Sequence, residues 1–345
     1  MRVEVCGFSR EEERTWDEYV HRSAGASHSH LIGWRRVIQE SYGHRPLYLW
    51  AREGDRIRGV MPLVLFRSLV GGRSLVSVPF LDDGGICADD DCAARELATE
   101  ALRLFEHHRA RCLDLRHREP NSLGFPRHGS KVTLILELGP EAGSMWDRFD
   151  GKLRNQIRKA MGSGLTASWG GLEDVDAFYE VFATNMRDLG SPVHRLRFFA
   201  GVLREFADSA RLVLVRKGHA VVGGGVCLFF GSTLTVPWAS SLRQYRSLCP
   251  NNLLYWEVIR TGCEKGYARL DFGRSSPGSG TYRFKQQWGT AEKALVWQSV
   301  ARRHGGGSLV ESDDVRYRWL VRLWQRLPVP VSKWVGPAVR GNLSN

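Results

Sequence analysis

Cysteine is sparse and unpatterned in this 345-residue chain. There are seven, an odd number; no Cys-x-x-Cys occurs, and Cys87 and Cys92 are the nearest pair. Disulfide frameworks belong to small secreted chains with even counts, so a reducing compartment is expected. No Cys or His cluster has zinc spacing, so no metal is expected. Long apolar runs are missing too. Within the uncharged stretch 220–242, the part rich in apolar residues and glycine, 220–231, is too short to span a bilayer. The start, Met1-Arg2-Val3-Glu4-Val5-Cys6, leads into Glu11-Glu12-Glu13 with no apolar leader. The expectation is a cytoplasmic protein, with any membrane contact peripheral and at the inner face.

Lysine is scarce as well. Of 49 basic residues eight are Lys and 41 Arg; against 37 acidic residues the formal charge is +12. An Arg-rich surface favours planar anions such as phosphate and carboxylate. Nucleic acid, diphosphate-linked precursors and anionic membrane are the partner classes this charge admits. A hydrophobic fraction of 43% with 25% charged residues is globular and excludes a disordered or fibrous chain. The length is that of about two domains.

What is present is an internal duplication. Gly59 with the apolar run Val60 to Phe66 matches Gly223 with the run to Phe230, at an offset of 164 that His30 and His194 share. Val76-Ser77-Val78-Pro79-Phe80 matches Leu234-Thr235-Val236-Pro237-Trp238, and Leu113-Asp114 matches Leu270-Asp271. Each copy reads as a helix, two strands joined by a turn, a strand ending at Pro, a helix, and a strand ending at Asp. Such alternation predicts an α/β layer fold. The predicted domains are 1–143 and 165–303, joined by a basic amphipathic helix over 144–164, with a basic amphipathic tail over 304–345. Val315, Trp319, Leu320, Leu323, Trp324 and Leu327 form an apolar stripe in that tail. With Arg316, Arg318, Arg322 and Arg326 it reads either as a helix packed on the second domain or as a membrane-interface helix.

The densest polar and aromatic region runs from Leu270 to Gly289. A strand ends at Asp271, a Gly/Ser/Pro loop follows, and then Tyr282-Arg283-Phe284-Lys285. Loops at strand ends are where α/β folds bind ligands. Read as a strand, this segment puts Arg283 and Lys285 on one face and Phe284 on the other.

Phe284-Lys285-x-x-Trp288-Gly289, preceded by Asp271-Phe272-Gly273-Arg274, resembles the C-terminal motif of FemAB-like transferases. Lys152-Leu153-Arg154-Asn155-Gln156-Ile157-Arg158-Lys159 resembles their interdomain basic segment, and Val236-Pro237-Trp238 and Cys249-Pro250-Asn251 fit as well. The likeness covers roughly residues 25 to 300 and is nearest to the FemAB-related branch found with bacterial exopolysaccharide and exosortase systems. It implies two acetyltransferase-like (GNAT) domains in tandem, with mixed sheets flanked by helices. It also implies an acyltransferase that moves an amino acid from charged tRNA to the amine of a peptidoglycan or exopolysaccharide precursor. The resemblance assigns Phe284 and Lys285 to the donor's reacting end, and Lys152, Arg154 and Arg158 to the precursor's diphosphate.

The chemistry suits those residue types. An amine attacking an ester develops charge on the carbonyl oxygen, and a fixed cation such as Lys285 stabilises it. Asp271 is the candidate base for the amine, against a role as a strand-end cap, which its counterpart Asp114 fits. Tyr282, Arg283, Phe284, Arg274, Trp238 and Asn251 are the candidate substrate contacts. The loop 244–251 has no glycine and copy one has Asp82-Asp83-Gly84-Gly85, so neither is an ordinary CoA-diphosphate loop. No bound cofactor is expected; the donor is aminoacyl-tRNA or an acyl thioester. The alternatives are a GNAT-type N-acyltransferase using acyl-CoA or acyl carrier protein, and a non-catalytic binder in a polysaccharide assembly system. The acceptor is a lipid- or nucleotide-diphosphate-linked precursor. Asp271, Arg274 and Lys285 are expected to border one open cleft near the Lys152–Arg158 helix.

Overall fold

The computed structural model describes residues 1–69, 71–302 and 315–344. They form two compact units. The first takes residues 1–130 with 294–302 and 341–344; the second takes 131–293 with 315–340.

The first unit holds two sheets. An antiparallel sheet runs in the order Arg2–Val5, Leu49–Glu53, Arg56–Met61, Cys87–Ala88. A mixed sheet runs Arg45–Pro46, Leu63–Ser68, Gly72–Ser77, Cys112–His117, Val296–Ala301, Arg127–His128. The apolar run after Gly59 is divided at Pro62, which has no N–H to give a ladder, so its two halves serve different sheets. Between the strands Gly72–Ser77 and Cys112–His117 runs the helix Asp91–His107. Its N-terminus is set by Asp90, whose carboxylate accepts the Ala93 amide at 2.8 Å.

The second unit has one mixed sheet in the order Leu165–Gly170, Ala210–Lys217, Ala220–Phe230, Thr233–Ser241, Arg269–Ser275, Val132–Glu137, Ala291–Ala294. The helix Pro250–Glu264 buries Leu254, Val258, Ile259 and Cys263 against it, the stripe that the apolar spacing predicts. Both units therefore carry a parallel strand pair with a helical crossover, as a duplication requires.

The pairing refines the match between copies. Leu75 lies opposite Leu113 and Leu234 opposite Leu270. Leu75 thus corresponds to Leu234, where the sequence match places Val76. Two apolar runs compare equally well one residue apart, but a one-residue slip turns every side chain to the other face.

Two further differences from the sequence reading concern the segments around the second unit. The predicted helix over 144–164 is two helices, Ala142–Arg148 and Gly151–Gly162. The break falls at Asp150, whose side chain accepts the Leu153 amide at 2.6 Å and starts the second helix afresh. The strand Val132–Glu137, which the sequence boundary at 143 groups with the first half, pairs with Arg269–Ser275 in the second sheet. In return Val296–Ala301 pairs with Cys112–His117 in the first. Each Asp-ended strand thus has its antiparallel neighbour supplied from outside its own copy.

Candidate active site

Asp271 sits where two parallel strands part. Thr233–Ser241 and Arg269–Ser275 pair from Thr233↔Arg269 to Thr235↔Asp271, and among the described residues no further. Beyond that point the first strand keeps only its neighbour Ala220–Phe230 and the second only Val132–Glu137. Parted parallel strands leave a wedge past their carboxyl ends, the crevice in which α/β sheets take ligands.

Within that wedge the second strand bulges. Phe272 and Gly273 together stand opposite Leu134, between the pairs Ile135↔Asp271 and Thr133↔Arg274. Gly273 has φ +74°, a conformation open to glycine at little cost. Asp271 is buried, and its carboxylate accepts the Gly273 amide at 2.8 Å and the Thr133 hydroxyl. These contacts fix the bulge. They fit the strand-end cap that the sequence reading sets beside the catalytic one.

Lys285 reaches the same bulge. Its ammonium donates to the carbonyls of Gly273 at 2.9 Å and Arg274 at 3.0 Å. The expected strand over Tyr282–Lys285 is instead the helix Gly280–Gln286. Ser279 starts it by accepting the Tyr282 amide at 3.1 Å. Helical spacing then separates Arg283, which is exposed, from Lys285, which is buried. Phe284 packs near Tyr255 and Trp288, with ring centroids 5.6 and 6.4 Å away. The Tyr282 hydroxyl bonds to Glu292 and accepts Gln286 Nε2 at 2.7 Å.

Lys131 adds a cation that the sequence reading misses. Its ammonium donates to the Ser276 hydroxyl. Burial, and then the nearby Arg274 charge, hold it below the usual lysine range. Lys131, Arg274 and Lys285 thus give the strand end a positive field. The only sequence signal for Lys131 was a basic residue opening the strand beside Asp271.

The basic helix meets this region through an aromatic core. Phe149, just before the cap Asp150, stands edge-on to Trp288 at 5.3 Å, and Tyr255 stacks on Phe272 at 4.6 Å. On that helix Lys152 and Arg158 are exposed, and the Arg158 guanidinium lies 5.2 Å from the Trp146 ring centre. Gln156 accepts Asn252 Nδ2 at 3.0 Å, tying the helix to the start of Pro250–Glu264. Arg154 Nε and Asn251 Oδ1 are buried without a hydrogen-bond partner among the described residues. Groups in that state await a water or ligand.

Trp238 is core rather than cleft. It packs among His194, Phe198 and Phe199 at 6.2, 5.4 and 5.6 Å. Two open depressions on this unit, of about 530 and 330 Å³, are lined by other residues, such as Trp169 and Arg204 or Glu180 and His219. The cleft expected to unite the candidates is neither of these.

In the first unit Asp114 holds the Asp271 place and is committed to Arg116 at 3.0 Å and His128 at 3.0 Å. A second polar cluster there escaped the sequence reading. Asp83 is buried and accepts from Ser27 at 3.1 Å, from Ser29 and from Arg118. Burial alone would push the carboxyl's pKa up, but Arg118, His28 and Ser29 outweigh that and hold it far below its usual range. The Ser27 amide donates to His30 Nδ1 at 3.1 Å, so His30 Nε2 carries the proton toward the Gly85 carbonyl at 3.2 Å. The signals were the alternation Ser27-His28-Ser29-His30 and the pair Asp82-Asp83.

The splayed parallel pair and its crossover helix recur in known proteins of GNAT-like fold. Residues 148–286 match the acetyltransferase (GNAT) domain family. Over 94% of this chain and all of that chain, the fold superposes on the crystal structure of FemX with TM-score 0.70 at 14% identity. The chain has a FemX-like tandem GNAT fold. A tandem GNAT protein from the clavulanic acid biosynthesis pathway shares it with TM-score 0.53 at 12% identity, over 87% of this chain and 98% of that one. So does the C-terminal domain of a putative lysylphosphatidylglycerol synthetase from Agrobacterium fabrum, with TM-score 0.58 at 10% identity, over 85% and 92%. No curated protein matches the sequence. At such identities the likeness speaks for the tandem GNAT fold. Among the described residues no group of His, Cys, Asp and Glu could hold a metal ion, and no helix is long and apolar enough to cross a membrane.

Proposed function

We propose that the protein is an acyl- or aminoacyltransferase that forms an amide on an amine of a cell-envelope precursor. One observation carries the reading: the Lys285 ammonium is anchored at the bulge where the strands of a GNAT wedge part. The match over 148–286 and the likeness to FemX support the class. In the reaction the amine nitrogen attacks the donor's carbonyl carbon, and the oxygen takes the negative charge. Collapse breaks the bond to the donor's ester oxygen or thioester sulfur, which leaves with the proton the amine gives up. Lys285 stabilises the oxyanion. Lys131 and Arg274 supply the field for a phosphate-bearing donor, and Lys152, Arg154 and Arg158 face the precursor's diphosphate. Asp271 acts as a positioning residue through Gly273.

Charged tRNA is favoured over acyl-CoA by the entry to the crossover helix. Pro250 removes an amide donor from its first turn, and Cys249 stands at φ +59° where a diphosphate loop has glycine. The test offers charged tRNA, acetyl-CoA and acyl carrier protein with amine acceptors and reads amide products by mass spectrometry. Lys285→Met is expected to lower kcat by about 100-fold or more with KM little changed, and Lys285→Arg to recover part of it. Absence of product with every donor would make the protein a binder. Wild-type rates in Lys285→Met would remove the cationic role.

A further inference from the structure

The tail hides one side of its helices and leaves a tryptophan-rich side in solvent. The helix Val315–Gln325 packs beside Val175–Leu189: Val321 lies against Gly190, Gln325 Nε2 donates to the Asp188 carbonyl at 3.1 Å, and Arg187 Nη1 donates to the Leu327 carbonyl at 2.8 Å. Away from those contacts Trp319, Leu320 and Leu323 are 62%, 57% and 48% exposed, with Arg322 and Arg326 exposed beside them. The side chains of Val315, Arg316 and Arg318 lie outside the described residues. The helix Val329–Arg340 repeats the pattern. Ser332 and Gly336, one turn apart, are buried, Lys333 pairs with Glu180, and Arg340 Nε donates to His194 Nε2 at 3.0 Å. Trp334 stands 83% exposed.

We infer that this face docks on an anionic lipid bilayer. Two tryptophans and two leucines left in solvent on helices that have a buried side are an interfacial arrangement: rings at headgroup level, cations beside them. The charge selects the surface. From 315 to 345 the sequence has six Lys or Arg residues and no Asp or Glu. Lys333 and Arg340 are engaged by Glu180 and His194, which leaves Arg322 and Arg326 exposed beside the apolar side chains. A closed protein interface is depleted of such charge at its centre, whereas a leaflet of anionic headgroups attracts it. No described helix can span, so the contact is one of lying on the membrane. This inference stands apart from the transferase reading and extends it by placing the protein at a surface where lipid-linked acceptors reside.

The test is flotation of the full chain with vesicles of phosphatidylglycerol and phosphatidylcholine, against vesicles of phosphatidylcholine alone. Anionic vesicles are expected to carry the protein up, and the neutral ones not. Trp319→Ala with Trp334→Ala should weaken binding by about tenfold per tryptophan, since half-burying such a ring contributes roughly a decade. Arg322→Glu with Arg326→Glu should abolish the preference for anionic lipid, and added salt should mimic it in part. Both variants should keep the wild-type thermal midpoint and amide formation on a soluble acceptor, which separates this surface from the active site. Failure of the wild type to float, or equal flotation of the tryptophan variant, would overturn the inference. So would a wild-type dimer in sedimentation that the tryptophan variant loses without any change in flotation.

Discussion

At the scale of single residues, the acids of the parallel strands serve as supports. Asp271 accepts the Gly273 amide and the Thr133 hydroxyl from a buried position. Asp271→Ala leaves both donors unpaired and is expected to cost about 1–3 kcal/mol in denaturant unfolding. A catalytic base would instead give a stable, dead Asp271→Asn protein. Histidine gives a second check. His117 is buried with both ring nitrogens unpartnered, and burial, with the His30 charge behind it, pushes it down to about 4. A base depressed in the fold stays neutral there while the unfolded chain takes its proton near 6.5. Its contribution is therefore whole above pH 6.5 and is lost as pH falls toward 4. His117→Phe should reduce the stability difference between pH 7 and pH 4.5 by about 2 kcal/mol, read from urea midpoints at both values. Asp271 was legible in the sequence because it lies toward the end of an apolar strand, and Lys285 because it stands in the Phe284-Lys285-x-x-Trp288-Gly289 motif. The Asp83 cluster was not, because its members come from segments that only folding brings together.

At the scale of elements, caps decide what periodicity alone leaves open. Ser279 turns Gly280–Gln286 into a helix although it lies in a Gly/Ser/Pro run that reads as loop, and so aims Lys285 inward. Ser279→Ala should fray that short helix, raising amide exchange over 282–286 and lowering kcat, while exchange in Pro250–Glu264 stays unchanged. Asp150 does the same for the basic helix. Asp150→Ala is expected to lower stability by about 1 kcal/mol in thermal unfolding. The helices at 34–42, 91–107 and 250–264 were readable because an apolar stripe and an end signal coincide in each. The 144–164 segment has a continuous stripe, and only the position of one carboxylate breaks it.

At the scale of the whole molecule, the duplication was visible from spacing, since two copies conserve their apolar runs and their terminal Asp. The exchange of strands was not, because a sequence does not say which sheet a strand joins. Val296–Ala301 is an inner strand of the first unit's sheet, between Cys112–His117 and Arg127–His128, and the Ser344 carbonyl accepts both the Phe80 amide and Arg116 Nη2 in that unit at 3.0 Å. A fragment of residues 1–130 should therefore lack a cooperative unfolding transition by circular dichroism, and fusing residues 294–302 to it should restore part of one. On the ribosome this arrangement reverses the usual order. The first unit's leading segment emerges first but must wait, one strand short, until residues 296–301 have cleared the exit tunnel. Synonymous changes that slow translation past residue 293 should therefore lengthen the interval in which that nascent half is open to chaperones and proteases.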